Sequence, residues 1–318
     1  MSAAATSWIL SEGYAGLQAQ ALGLAEAAGL APELRVLAPR APWKWVAASL
    51  WPAPLAAVPG ALRAPLPELV IGCGGVAAAV GAALRRGGRP VVQVQHPRMD
   101  PKRFDVVVVN RHDELTGPNV VVTRTALHRA TPARLAEAAR EWAPRFEYLK
   151  RPLVAVLVGG SNGRFRLDAE VAGGLASQLA SMMQRDEVGV AVTPSRRTDP
   201  GAIRMLAEAL IPLGAYVWDG TGENPYFGML ALADAIVVTM DSVSMVSEAA
   251  ATSAPVMLAS LPGRSRRNGL FIDCMLAEGR VREFAGRFEQ WPVAPLDDTP
   301  EAAAEMCRRL GLPLGLPC

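Results

Sequence analysis

Residues 235–252 read Ala235-Ile-Val-Val-Thr-Met-Asp-Ser-Val-Ser-Met-Val-Ser-Glu-Ala-Ala-Ala-Thr252. Ala235–Thr239 is an unbroken apolar, β-branched run, the pattern of a strand buried on both faces. It passes into polar Asp241 and Ser242, and an Ala-rich helix begins at once. This is the βα unit of a parallel sheet. The helix start offers unpaired backbone N–H groups and the positive end of the helix dipole. The hydroxyls of Ser242 and Ser244 stand beside it, a combination suited to phosphate or diphosphate. Glu248 follows about one and a half turns later, where a carboxylate can accept hydrogen bonds from two vicinal hydroxyls such as those of a ribose. Read singly, Asp241 or Ser242 is equally an N-cap and Glu248 a solvated helix residue.

The same unit recurs on both sides of this stretch. Upstream in the second half, strands read at Leu153–Val158, Val188–Thr193 and Ala215–Trp218, with helices at Ala169–Gln184, Pro200–Leu210 and Pro225–Leu232; Pro255–Leu258 follows as a strand. In the first half, strands read at Trp8–Leu10, Leu34–Leu37, Leu69–Gly72, Pro90–Gln95, Asp105–Val109 and Val120–Thr123. Helices fit Gln18–Ala28, Val76–Arg86 and a stretch capped by Thr131 that runs to about Trp142. Ala143 to Pro152 holds two prolines and a charge cluster, so the domain break is expected there. The expected fold class is α/β: two Rossmann-like domains, 1–147 and 148–318, with a ligand cleft between them. The last helix, Glu301–Leu310, is free to pack back on the first domain.

Composition narrows the function. Lys and Arg number 32 against 30 Asp and Glu, so no concentrated basic character marks nucleic acid as a partner. Cys73, Cys274, Cys307 and Cys318 lack CxxC spacing and form no metal pattern with His96, His112 and His128. No metal and no cofactor is expected. Met1-Ser-Ala-Ala-Ala has no basic start before an apolar run, and Val70–Leu84 is shorter than the roughly 20 residues that span a bilayer. The expected location is the cytoplasm, with peripheral attachment to the inner membrane face as an option. That option rests on Pro42-Trp-Lys-Trp-Val-Ala-Ala-Ser-Leu-Trp-Pro52, where Trp43, Trp45 and Trp51 flank Lys44. A hydrophobic flap packed on the first domain is the competing reading.

Other strand ends carry chemistry. Gly159-Gly-Ser-Asn-Gly163 lets backbone N–H groups approach an anion, with Ser161 and Asn162 as added donors; it lacks the GK[ST] ending of a P-loop. Ser195 and Arg196, in Thr193-Pro-Ser-Arg-Arg-Thr, can meet phosphate or cap the next helix. Asn224 lies in Trp218-Asp-Gly-Thr-Gly-Glu-Asn-Pro-Tyr, whose backbone can read the edge of a base. In the first half, Glu12 follows the first strand and is expected to face the cleft. His96 and His112 end later strands, where a His or Glu can serve as a general base.

Taken together, the second-half segments resemble the GT-B glycosyltransferase plan. A longer resemblance covers nearly the whole chain. Ser11-Glu-Gly, Gln95-His-Pro-Arg, Arg111-His-Asp, Gly117-Pro-Asn, Gly159-Gly-Ser-Asn-Gly, Thr193-Pro-Ser-Arg-Arg-Thr, Gly222-Glu-Asn-Pro-Tyr and Asp241-Ser-Val-Ser-Met-Val-Ser-Glu are similar to the mitochondrial-fission Elm family. That family includes plant proteins named for elongated mitochondria and bacterial members regarded as GT-B-type glycosyltransferases. The resemblance implies a metal-independent transfer from a nucleotide-diphosphate sugar to an acceptor, a lipid-linked one among the candidates. The alternatives are an inactive GT-B-fold adaptor at a membrane and a nucleotide-sugar epimerase. Tyr14 and His96 stand where Lys and Asp are common in relatives, which weakens a catalytic role for either.

Overall fold

The computed structural model describes residues 6–62 and 65–313; Met1-Ser-Ala-Ala-Ala and Cys318 lie outside them. Contacts divide the chain into two compact units, Met1–Arg129 with Asp297–Cys318, and Ala130–Leu296.

The first unit alternates β1 (Ser7–Ser11), α1 (Ala15–Ala27), β2 (Glu33–Val36), the one-turn α2 (Pro54–Ala57), β3 (Leu69–Cys73), α3 (Gly75–Arg86), β4 (Val91–Val94), β5 (Val106–Asn110) and β6 (Val120–Thr123). Its six strands are all parallel, in the order β2-β1-β3-β4-β5-β6. The strands read as continuous apolar runs because both faces are covered. One face packs Trp8, Leu10, Val70 and Phe104 with α3, and the other packs Ile9, Ile71 and Val92 with α1.

The second unit runs α4 (Pro132–Phe146), β7 (Leu153–Val158), α5 (Ala169–Asp186), β8 (Gly189–Pro194), α6 (Pro200–Leu210), β9 (Tyr216–Val217), α7 (Tyr226–Leu232), β10 (Ala235–Thr239), α8 (Val243–Ala250), β11 (Val256–Ala259), α9 (Arg266–Ala277) and β12 (Val281–Glu283). Its parallel sheet has the order β12-β11-β10-β7-β8-β9. The chain then returns to the first unit with α10 (Thr299–Leu310), whose Ala302, Ala303 and Met306 join the core that holds Ile9 and Ile71. Asp298, just before α10, takes the Arg124 backbone N–H at 2.5 Å and its guanidinium at 2.5 Å and 3.1 Å.

The domain break therefore falls at 129/130 and again at 296/297, not at 147/148. The cause is α4. A helix-interior proline such as Pro144 costs about 3 kcal/mol, yet the helix continues to Phe146. Trp142 and Phe146 are buried in the second unit's core, their rings 5.4 Å apart, and Phe146 meets Tyr216 at 5.2 Å. A Cβ on Gly228 of α7 would lie 2.3 Å from the Trp142 ring, so the two helices touch where glycine allows it. Burial of two large aromatics, worth about 2 kcal/mol or more each, outweighs the proline.

Candidate functional site

In the second sheet β7 comes first in the chain; β8 and β9 follow on one side, and β10 to β12 on the other. The crevice between the carboxyl ends of β7 and β10 is thus the point where strand order reverses, the usual ligand position in such sheets. Gly159 and Gly160 leave β7 there, and Asp241 leaves β10.

The Asp241 side chain is fully buried. It accepts hydrogen bonds from the Thr239 hydroxyl at 2.7 Å, the Gly160 N–H at 3.2 Å and Arg197 Nη2 at 2.9 Å. The Gly159 N–H donates to Thr239 Oγ1 at 2.7 Å. A Cβ on Gly159 would lie 2.1 Å from Asp241 Oδ1, and one on Gly160 2.2 Å from the Arg197 carbonyl oxygen. Both glycines are required by close packing, and both amides are already used within the protein. Arg197 also reaches the Gly160 carbonyl at 3.2 Å through Nη1, while its side chain stays 43% exposed. Asp241 thus anchors a guanidinium whose remaining N–H groups are available at the surface.

The α8 N-terminus lies beside this knot. Ser242 caps it weakly, its Oγ accepting the Met245 N–H at 3.4 Å. At the far end, buried Arg280 donates to the carbonyls of Ala249, Ala250, Thr252 and Ala254. Burial pushes its pKa down to about 10, so it stays charged at neutral pH against the negative helix end. Asn268 of α9 donates to the Asp241 carbonyl at 3.2 Å. The loop after β11 is sewn to the loop after β7: Gly263 bridges Phe165, the Arg264 N–H donates to the Arg164 carbonyl at 3.0 Å, and the Arg166 N–H to the Pro262 carbonyl at 2.8 Å. Arg164, Arg196, Arg197, Arg264, Arg266 and Arg267 are consequently exposed along this carboxyl edge. The chain is nearly neutral overall, yet here cations are concentrated, which draws an anion.

The remaining residues expected at this site have mixed placements. Ser161 exchanges hydrogen bonds with the Leu167 backbone, at 2.9 Å and 3.2 Å. Asn162 Oδ1 accepts the N–H groups of Arg164 and Phe165 in an Asx turn. A Cβ on Gly163 would meet open space. Ser195 Oγ lies 3.1 Å from Thr198 Oγ1 and accepts the Arg197 N–H, so it shapes the turn that delivers Arg197. Asn224 Oδ1 accepts the Tyr226 N–H at 3.0 Å. Glu248 is buried, not a solvated helix residue, and accepts the Tyr226 hydroxyl hydrogen bond. Burial lifts its carboxyl to about 7, opposed by that hydrogen bond. Asn224 and Glu248 therefore meet through Tyr226. The sequence reading missed Tyr226, Arg280 and the Arg264–Asn268 segment that leads into the first turn of α9. The last was detectable, because basic residues directly after a strand of a parallel sheet lie on its ligand edge.

The first unit reverses strand order between β1 and β3. There Glu12 Oε1 accepts the Val76 N–H of α3 at 3.0 Å, and Gly74, with φ of 104°, makes room for the carboxylate. His96 Nδ1 accepts the Arg98 N–H at 2.9 Å and steadies a turn in which Gln95 and Arg98 are both left-handed. His112 is buried in a short turn after β5, 4.0 Å from Asp113. The three stand at the ends of three different strands, β1, β4 and β5. Among the described residues no three His, Cys, Asp or Glu side chains group as metal ligands.

Comparison with known proteins places this geometry in context. Over 274 residues, 77% of this chain and 64% of the relative, the sequence is 34% identical to the mitochondrial fission protein ELM1 of Arabidopsis thaliana. The match thus spans just under two thirds of that relative's length. Among solved structures, the UDP-GlcNAc 2-epimerase of Methanocaldococcus jannaschii superposes with a TM-score of 0.59 at 11% identity, covering 96% of this chain and 99% of that one. UGT71G1 of Medicago truncatula, complexed with UDP-glucose, gives 0.53 at 10% identity, covering 96% and 93%. At such identities the likeness shows the fold: two Rossmann-like domains of the GT-B type. The family model for mitochondrial fission ELM1 matches residues 15–310. The chain belongs to the mitochondrial fission ELM1 family.

Proposed function

We propose that the second unit binds a nucleotide-diphosphate sugar at the carboxyl edge of β7, β8, β10 and β11, and that the protein transfers the sugar to an acceptor without a metal. The observation that carries this reading is the exposed Arg197 guanidinium, held on buried Asp241 beside the α8 N-terminus, with Arg164 and Arg264 exposed on loops of the same carboxyl edge. Helix amides and guanidinium groups together meet the charge of a diphosphate. Two solved structures of this fold, named for UDP-GlcNAc and for a UDP-glucose complex, support a UDP-linked donor. In this reading Ser242, Ser244 and Arg196 join the diphosphate contacts and the loop to Gly163 lies near the donor sugar. Asn224 holds the Tyr226 turn, and Glu248 accepts ribose hydroxyls once Tyr226 yields. Glu12 or His112 activates the acceptor, a lipid-linked one among the candidates.

A second reading is a nucleotide-sugar-binding protein that performs no transfer. It is favoured by one observation: Glu12 Oε1 and His96 Nδ1 each accept a backbone N–H, the contacts of a structural role, and His112 is buried. Calorimetry with UDP-, GDP- and CMP-sugars tests binding. UDP-sugars are expected to bind, and Arg197→Ala to weaken them at least tenfold; no heat from any donor defeats both readings. Product analysis then separates them. Free nucleotide accumulating only with an acceptor extract indicates transfer, while binding with no product indicates the second reading.

A further inference from the structure

The segment between β2 and β3 divides its tryptophans between two tasks. Trp51 is 7% exposed and lies in the first unit's core with Leu37, Ala57 and Val58. Trp43 packs on it, ring centroids 6.1 Å apart, and the Trp51 indole N–H donates to the Val46 carbonyl at 3.0 Å. These two tryptophans form the hydrophobic flap, Trp51 buried and Trp43 half-buried against it. Pinned in this way, two short 3-10 turns turn the rest outward. Trp45 and Leu50 are each 73% exposed, and Val46 and Leu55 are exposed as well. Packing gives no reason for an indole and an isobutyl group five residues apart both to stand in water.

Charge gives the reason. Residues 34–67 contain Arg35, Arg40, Lys44 and Arg63 and no Asp or Glu. Arg35 is used internally, on Glu33 and over the Trp8 ring. Lys44 Nζ lies 4.7 Å from the Trp45 ring centroid. Arg40 and Lys44 are exposed and have no carboxylate partner among the described residues. An indole, three aliphatic side chains and two cations without carboxylate partners match the layered chemistry of an anionic bilayer surface: the apolar groups enter the headgroup–acyl boundary and the cations stay at the phosphates. No helix of the described residues is long and apolar enough to cross a membrane. The loop is preorganised by Trp43 and Trp51, so little ordering entropy opposes contact.

We infer that Trp45, Val46, Leu50 and Leu55, with Arg40 and Lys44, dock the first unit peripherally on a membrane rich in anionic lipid. This is independent of what the second unit binds. Cosedimentation of the full chain with vesicles of phosphatidylcholine alone, and of phosphatidylcholine with phosphatidylglycerol, tests it. Binding is expected only to the anionic vesicles and to fall with salt. Trp45→Ser with Leu50→Ser is expected to weaken it at least tenfold, and Arg40→Glu with Lys44→Glu to abolish the preference for anionic lipid. Ile211→Ser, at an exposed apolar residue of the second unit, serves as the control and is expected to change nothing. Both surface pairs are outside the core, and an unchanged melting temperature confirms that the variants fold. Brominated lipid is expected to quench wild-type fluorescence and to quench Trp45→Phe far less. Failure of the wild type to bind anionic vesicles overturns the inference, as does unchanged binding of the Trp45/Leu50 variant or an equal loss in Ile211→Ser. A wild-type dimer that ignores vesicles and becomes monomeric in the Trp45/Leu50 variant also overturns it, assigning the patch to self-association.

Discussion

At the switch point of the first sheet, α3 begins under the carboxylate of Glu12, which sits on the Val76 N–H in space made by Gly74. At the switch point of the second, α8 begins under a single serine hydroxyl at 3.4 Å, and the nearest carboxylate, Asp241, is turned inward and neutralised by Arg197. The same topology thus produces one helix terminus that carries its own anion and one that is left to receive an anion. A helix N-terminus favours negative charge wherever it comes from. What distinguishes a binding site from a packed turn is whether the protein fills that demand itself. On this criterion the proposed anion site belongs to the second unit and not to the first.

The largest expected effect breaks the second switch point from within. Asp241→Ala removes a fully buried carboxylate and strands the Gly160 N–H, the Thr239 hydroxyl and Arg197. Breaking such a buried network costs about 3–5 kcal/mol. Urea unfolding should show that loss, and donor binding should vanish with it because Arg197 loses its anchor. A loss below about 1 kcal/mol would mean that Asp241 is not the anchor.

Glu248 comes next. Its carboxyl is lifted from 4.5 to about 7 by burial, so the folded protein holds a proton that the unfolded chain releases. The resulting stabilisation is fully present below pH 4.5 and is lost as pH rises through about 7. At about 1.4 kcal/mol per pH unit this amounts to about 3 kcal/mol. Glu248→Gln keeps a partner for the Tyr226 hydroxyl and removes the titration. Its stability relative to wild type should therefore grow across that window and level off above it, as followed by denaturant melts from pH 4 to 8. A parallel pair of curves would fault the assignment of the buried proton to Glu248.

These two residues show where sequence reading succeeds and where it stops. The β10–α8 stretch was legible because an unbroken apolar run, a serine cap and an Ala-rich helix are local signals. The strands β1 to β11 agree with their sequence patterns to within a residue or two, while β12 (Val281–Glu283) was not read from the sequence. Helix α9 was not legible: Gly269 and polar Asn268 and Asp273 interrupt its periodicity, and packing of Phe271, Ile272 and Met275 supplies its stability instead. Pro144 marked a break that Trp142 and Phe146 overrule. The burial of Asp241 was hidden because its partners Gly160 and Arg197 lie 81 and 44 residues away. Likewise, Glu248 read as a ribose contact or a solvated helix residue, and only the fold shows that Tyr226 covers it.

A smaller effect sharpens the comparison at the surface. Arg197→Ala opens to water the side of Asp241 that Arg197 covers, so its stability cost should stay near 1–2 kcal/mol. Donor affinity should fall roughly tenfold to a hundredfold, since a charge-assisted hydrogen bond is worth about 1.5–3 kcal/mol. Calorimetry and unfolding on the same variant separate the two numbers. If stability falls while affinity does not, Arg197 is part of the knot and no part of the site.

The smallest expected effect is at Glu12, and it probes the other half of the comparison. Glu12→Gln replaces a carboxylate by a neutral amide at the α3 terminus, which should cost about 0.3–1 kcal/mol and leave donor affinity in the second unit unchanged. Glu12→Ala goes further, since it empties the space beside Gly74 and exposes the Val76 N–H. If the first switch point differs from the second only by carrying its own anion, inorganic phosphate should then perturb the Val76 amide resonance in Glu12→Ala and leave it unmoved in the wild type. The same variants bear on chemistry. A transfer rate that falls more than about a hundredfold in Glu12→Gln, against a stability change below about 1 kcal/mol, gives Glu12 the role of general base. A rate that follows stability makes it a cap and leaves proton abstraction to another group.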